Sequence, residues 1–453
     1  MSKSKKNKNI FSMITIIIMV IILAWVYSKY DYNFYSKGVT DFGVTKFTKD
    51  NNEKYSEESS YKIENTDYTD AMFFRKISVN KNTTYKVSCM VKTENVEGYE
   101  KNTVSGAQII LKNTEEHSTV VKGTTDWTKI EFCFNSKNQD FVEIGFALGG
   151  VYSKAKGTAW FSDLKIEQGY QSYDNEWKFV CFIFNNVQAK LDNGIEVNEK
   201  IETTELSALN KSYRLFESTL ASLSENKIKA NCDIIEINEP ITTLSYEKQN
   251  GYYIGENDVY EILNPYLQKN EYDHIFVSAK LPDQADLGNP YATNWIGLGG
   301  MTFAGKGFSN IRILNDGVNF EYSVYSDFPQ EVFLHEFLHT LERNSEEYGY
   351  TIPALHDNEK YGYKDDRNTR LKKWYIDYMN KGIKDATGEY IGLPEEVFTY
   401  KPSKLSNFKY PVELDYLNEP QNIIESIRCM ILKVKDLFNK TEEENREIKI
   451  VSD

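Results

Sequence analysis

Cysteine is scarce and scattered. Cys89, Cys133, Cys181, Cys232 and Cys429 are the five in 453 residues. The total is odd and no two form a CxxC pair, which excludes a disulfide framework and a cysteine zinc knuckle. Such spacing leaves small thiols that pack as buried apolar groups. Surplus positive charge is missing too: 53 Lys and Arg stand against 67 Asp and Glu, for a formal net charge of -14. Nucleic acid is thereby excluded as a general partner, because its phosphates reward dense Lys and Arg. Histidine is as rare as cysteine, at five, so its placement carries weight. A phosphate-binding loop is also lacking. The glycines of "NWIGLGGMTFAGKGFSNIRIL", residues 294–314, do not sit between a strand and a helix with Lys-Ser or Lys-Thr following. They read instead as a strand interrupted by bulges or close backbone approaches.

What is present suffices for more than one core, with 40% hydrophobic and 14% aromatic residues in a chain longer than one ordinary domain. Lys3, Lys5, Lys6 and Lys8 precede an apolar run from Ile10 to Tyr27, long enough to cross a hydrocarbon core. No small-x-small cleavage site follows Leu23. The expectation is a signal-anchor transmembrane helix over residues 1–30. Its N-terminus would be cytoplasmic by the positive-inside rule, leaving a single-pass membrane protein with the bulk of its chain extracellular.

Residues 48–60, "TKDNNEKYSEESS", are polar and aperiodic and read as linker or outer loop. Beyond them, alternation dominates. "TTYKVSCMVKT" places Tyr85, Val87, Cys89 and Val91 on one face, and "WTKIEFCFNS" does the same with Ile130, Phe132 and Phe134. "VEIGFALGG" and "TAWFSDLKIEQG" complete a region without helical period, which predicts an all-β antiparallel sandwich over residues 31–170. The order "NTTYKVSCMVKT", "GTTDWTKIEFCF", "GTAWFSDLKIE" resembles the carbohydrate-binding, galactose-binding-like, jelly-roll modules found beside bacterial hydrolases. That resemblance implies a cell-surface glycan as partner and a structural Ca2+ near a carboxylate such as Asp163. Trp127 and Trp160 are then either sugar-contacting aromatics or sandwich packing.

From about residue 172 the pattern changes to alternating strands and helices, predicting an α/β (α+β) domain over residues 171–453. "KFVCFIFNNV", "KANCDIIEI" and "HIFVSA" read as strands. Leu206, Leu209, Tyr213, Phe216, Leu220 and Leu223 recur at helical spacing, and "NDVYEILNPYL" is a shorter helix. Ile423 to Phe438 carries a further apolar stripe, read as a core-docking C-terminal helix.

"SDFPQEVFLHEFLHTLERNSEEYG" holds the chemistry. Asp327 as N-cap, Gln330 three residues on and Pro329 in the first turn predict a helix from Phe328 to Tyr348, with Gly349 ending it. On a helix, His335 and His339 are i and i+4, stacked on one face within reach of one metal ion, and Glu336 is displaced round the helix. This is the HExxH arrangement, in which zinc activates a water and the glutamate accepts its proton as general base. With five histidines in the chain, chance predicts fewer than ~0.01 such motifs.

The region from residue 172 to about 400 resembles a zincin metallopeptidase. The resemblance implies Zn2+ as cofactor, a protein or peptide substrate, and an edge strand before the active-site helix, here within residues 294–303. It also implies a mostly helical lower part. The third ligand departs from familiar patterns. Glu342 and Ser345 stand where a metzincin has glycine and histidine. Glu342, on the same helix, is poorly placed to converge with the histidines. Glu359, twenty residues after His339 and preceded by Asn358, fits part of the thermolysin-like pattern, and Asp357 is a weaker candidate. His356 in "IPALHD" follows the Gly349 turn, and the scarcity of histidine favours it; Glu359 is the alternative. Tyr361 of "EKYGY" is a candidate oxyanion donor. The reading is a zinc metallopeptidase, an endopeptidase with Glu336 as base. The alternatives are a non-catalytic glycan-binding adhesin or a zinc hydrolase of cell-wall amides.

Overall fold

The computed structural model describes residues 36–99, 104–150, 153–314, 328, 330–365 and 371–410. Nine strands make the first half. They are β1 (Ser36–Val39), β2 (Thr45–Asp50), β3 (Ser60–Thr69), β4 (Ala71–Ser78), β5 (Thr84–Gly98), β6 (Gly106–Leu111), β7 (Gly123–Asn135), β8 (Phe141–Gly149) and β9 (Ala155–Gly169). They pair as a four-stranded sheet, β1-β4-β8-β6, and a five-stranded sheet, β2-β3-β9-β5-β7, antiparallel throughout. Alternate residues of each inner face bury together: Tyr85, Val87, Cys89 and Val91 meet Ile109, Ile144 and Phe146 across the sandwich. The aperiodic residues 51–59 form the connection between β2 and β3.

The second half is built on one mixed sheet. Its strands are β10 (Glu176–Phe184), the hairpin β11 (Asn186–Lys190) and β12 (Glu196–Lys200), β13 (Lys229–Ile237), the small hairpin β14 (Ser245–Glu247) and β15 (Gly251–Tyr253), β16 (His274–Leu281), β17 (Gly297–Phe303) and β18 (Lys306–Leu314). The five-stranded order is β13-β10-β16-β18-β17. All neighbours are parallel except β17, which runs antiparallel to β18 at the edge. Helices α1 (Thr203–Leu223), α2 (Glu256–Leu267), α3 (Glu331–Glu347) and α4 (Lys372–Met379) flank it. β10 is apolar at consecutive positions because both its faces are covered. Phe179 and Cys181 pack with α1, α3 and α4, whereas Val180 and Phe182 pack with α2.

Two expectations are corrected. No helix among the described residues is long and apolar enough to cross a membrane. The longest, α1, carries Lys211 and Arg214 on its exposed side and buries one stripe. The apolar run Ile10–Tyr27 lies outside the described residues, so the single-pass anchor and the extracellular placement derived from it have no counterpart in the structure. The fold class is corrected as well. The expected class is a transmembrane helix, an all-β sandwich and an α/β (α+β) domain with a mostly helical lower part; among the described residues no helix can span a membrane and strand predominates over helix. Among the described residues after α4 there are a short hairpin, Ile383–Lys384 with Tyr390–Ile391, and two 3-10 turns. The glycines and short polar runs there cannot sustain helical periodicity. The stripe from Ile423 to Phe438 lies outside the described residues.

The halves are joined by polar contacts along their length. Buried His117, between β6 and β7, places Nε2 2.9 Å from Glu256 Oε1 at the start of α2. Val104 N–H donates to Asn257 Oδ1 at 3.0 Å. In the β7–β8 turn, Asn138 N–H donates to the Glu347 carbonyl at 3.2 Å, and Lys137 pairs with the Glu347 carboxylate. Tyr170 and Lys409 exchange backbone hydrogen bonds at 3.0 Å.

Candidate metal centre

Helix α3 begins at Glu331, three residues later than the capping pattern suggests. Gln330 is the N-cap residue and makes no side-chain cap bond; its amide instead donates to Thr219 Oγ1 on α1 at 2.9 Å. Asp327 and Pro329 lie outside the described residues. The C-terminus follows the sequence expectation. Gly349, at φ +87°, takes the left-handed position. Its N–H donates to the Glu346 carbonyl and that of Tyr350 to Ser345, both at 2.9 Å, a Schellman closure. Val332, Phe333, Phe337, Leu338 and Leu341 anchor the inner stripe, which leaves His335 and His339 partly exposed on the opposite side.

The extended segment after Gly349 brings His356 back to these two. His356 Nε2 lies 3.1 Å from Nε2 of His335 and 3.1 Å from Nε2 of His339. Among the described residues these three form the group of His, Cys, Asp or Glu side chains able to share one ion, their ligand atoms all within 4.8 Å of one another. Glu359 is outside the group, exposed on the 3-10 turn Asn358–Tyr361. Asp357 pairs with Lys360 at 2.8 Å.

The proton positions follow from the outer partners. His339 Nδ1 lies 2.8 Å from Glu342 Oε2, so Nδ1 carries the proton and Nε2 presents a lone pair. His335 Nδ1 lies 3.0 Å from the Tyr375 hydroxyl, which donates to Glu331 Oε1 at 2.5 Å and therefore accepts from Nδ1. Two lone pairs thus meet His356, whose ring can turn at most one N–H toward them. A small cation placed among them would satisfy all three nitrogens. Tetrahedral zinc, at about 2.0–2.1 Å from each nitrogen, requires separations of about 3.3–3.4 Å, close to those found. Burial, joined by repulsion from His339 whenever that ring is protonated, holds His356 below the ordinary imidazole range, which favours the neutral, ligating form.

Glu336 faces the edge strand. It is 4% exposed, and a Cβ on Gly297 or Gly299 would stand 2.2 Å from its Oε1 or 2.8 Å from its Oε2. Only glycine allows this approach. Burial pushes its carboxyl well above the usual range and the Glu331 carboxylate adds to that, while a hydrogen bond from the Gly299 backbone opposes it. The register of β17 shifts between Leu298 and Met301, with Gly300 at φ +76°. Arg343 holds the bulge through 2.8 Å bonds to the Gly300 and Met301 carbonyls.

Tyr361 is not beside the histidines' proton partners. It stacks on Trp374, with ring centroids 6.0 Å apart, and lines a recess with Tyr363, Lys384 and Tyr390 that includes none of the three histidines. The tyrosine that meets the site is Tyr375, which sequence reasoning missed, together with Glu331. Glu342, judged poorly placed as a ligand, is the carboxylate behind His339; its i+3 spacing was the available signal. In the sandwich, Trp160 is buried, donates from Nε1 to Asp50 Oδ2 at 3.0 Å and lies beneath Lys62 and Lys92. Trp127 is half-buried beside exposed Tyr55. Asp163 is exposed and pairs with Lys165 at 3.1 Å.

No family model and no curated protein matches this chain. Among solved structures it is similar to the enzymatically active domain of bacteriophage CBA120 tailspike protein 4, at 11% identity and TM-score 0.24, over 30% of this chain and 20% of that one. It is also similar to TmCBM61 in complex with β-1,4-galactotriose, at 11% identity and TM-score 0.22, over 31% of this chain and 92% of that one. A third is the CBM22-1 xylan-binding domain of Paenibacillus barcinonensis Xyn10C, at 14% identity and TM-score 0.20, over 29% of this chain and 85% of that one. Carbohydrate-binding modules thus recur among the solved neighbours; the strand pairing itself, not these scores, carries the sandwich assignment.

Proposed function

We propose that this chain is a zinc-dependent hydrolase that cuts peptide bonds. The observation that carries this is the convergence of the His335, His339 and His356 Nε2 atoms, with the Nδ1 protons of His335 and His339 turned outward. These three hold the ion, which when bound supplies a Lewis acid and an acidified water. Glu336 is the general base, kept out of bulk solvent against β17 and poised to take up a proton. β17 is the edge strand of its sheet, the place where an extended peptide can add by backbone pairing. Metal content and peptide-library cleavage by the full chain, beside Glu336→Gln, test the reading. Bound zinc at one equivalent with Glu336-dependent cleavage is expected; zinc without such cleavage overturns it, and cleavage only of cell-wall amides reassigns the substrate.

A second reading has the sandwich bind a glycan while the histidines serve no reaction. The Tyr55–Trp127 pair favours it: two rings 5.9 Å apart at the surface form a surface on which a sugar can stack. Glycan binding abolished by Trp127→Ala, together with no hydrolysis, is the result that selects it.

A further inference from the structure

The outer edge of β17 is not open along its whole length. β17 and β18 are joined through Ala304 and Gly305, at φ +47° and +80°, a two-residue turn of the I′ kind with Phe303 opposite Lys306. The closing pair of such a hairpin is hydrogen-bonded, so the next pair, Thr302 and Gly307, is not. The backbone groups of Thr302 therefore point away from β18. Consistent with this, Gly307 N–H donates to the Asp273 carbonyl at 3.2 Å. At the other end, Arg312 N–H donates to the Ile296 carbonyl at 2.7 Å, which by the same alternation turns the groups of Gly297 outward.

The outward N–H of Thr302 is already taken. It donates to Glu115 Oε2 at 3.1 Å, and the Thr302 hydroxyl bonds the same oxygen. Glu115 belongs to the sandwich, in the β6–β7 connection beside His117. That connection is fixed by the buried His117–Glu256 contact, and at Glu116, whose Cγ stands 2.7 Å from where a Cβ on Gly305 would be.

We infer that Glu115 of the sandwich closes the outer edge of β17 at Thr302, so that a peptide laid along this edge pairs only with the segment from Gly297 to Met301, beside Glu336 and His339. This rests on the peptidase reading above. The sandwich thereby limits how far an extended substrate reaches on one side of the cut bond. A strand running past Thr302 must displace two hydrogen bonds to a carboxylate.

The test uses the full chain and a nested peptide series built on one cleaved sequence, lengthened a residue at a time at either end. For the wild type, kcat/KM rises with length and then reaches a plateau on one side. Glu115→Ala moves that plateau outward, with a further gain of up to about tenfold, the scale of one added backbone pairing. Glu115→Gln, which keeps an acceptor oxygen, leaves the plateau in place. Should Glu115→Ala not fold, Glu115→Ser, too short to reach Thr302, replaces it. An unmoved plateau with cleavage intact overturns this inference alone. Absence of any Glu336-dependent cleavage by the wild type overturns the peptidase reading and this inference with it.

Discussion

Glu342 grips His339 one turn back on the same helix, accepting from Nδ1 at 2.8 Å. Its other oxygen accepts the Leu355 N–H at 2.7 Å, so one carboxylate fixes a ring on α3 and the backbone that delivers His356. Burial pushes Glu342 up, but these two hydrogen bonds outweigh it and hold the carboxyl below its ordinary range. Glu342→Ala is expected to weaken zinc retention by about 10–100-fold, read by competition with a chromogenic chelator. Retention equal to wild type contradicts the assigned tautomer of His339.

Tyr375→Phe removes the hydroxyl between Glu331 and His335 while keeping the buried ring. Zinc affinity should fall by roughly tenfold, with stability lowered by no more than about 1.5 kcal/mol. Isothermal titration with zinc and urea unfolding separate the two effects. A stability loss without any change in affinity would make Tyr375 a packing residue only.

The close approach of β17 to α3 ranks two glycine variants. A Cβ on Gly299 stands 2.5 Å from the Glu336 carbonyl oxygen, whereas the nearest atom to a Cβ on Gly300 is 3.7 Å away. Gly299→Ala should therefore cost about 1–3 kcal/mol by forcing strand and helix apart. Gly300→Ala carries only the left-handed strain of φ +76°, about 1 kcal/mol. Chemical denaturation of both variants checks the order.

Buried His117 pairs with part-buried Glu256 across the two halves. Removing Glu256 leaves the buried His117 Nε2 without its partner, so Glu256→Ala should lose about 1–3 kcal/mol. Calorimetry is expected to show one cooperative transition moved downward. A sandwich transition left at its wild-type temperature contradicts the coupling of the halves.

The HExxH helix and the inner faces of the sandwich were legible in the sequence because each is a matter of period. A spacing of four residues stacks His335 on His339, and a spacing of two buries Tyr85 to Val91 together. The arrival of His356 could be narrowed but not decided, since Glu359 lies on the same short segment and only the path through Pro353 and Leu355 separates them. Tyr375 left no local signal. It sits forty residues beyond His335, on a helix of eight residues, among many tyrosines. Glu115 was equally silent, because an exposed-looking acidic residue between two strands acquires meaning only when another sheet edge is set against it.

The β7–β8 turn lies against the last turn of α3, and the β6–β7 connection against α2 and β17. Every point of the sandwich is therefore kept at a constant distance and bearing from the three histidines. The sandwich behaves as a ruler, not a leash: its shape sets how far each part of its surface stands from them.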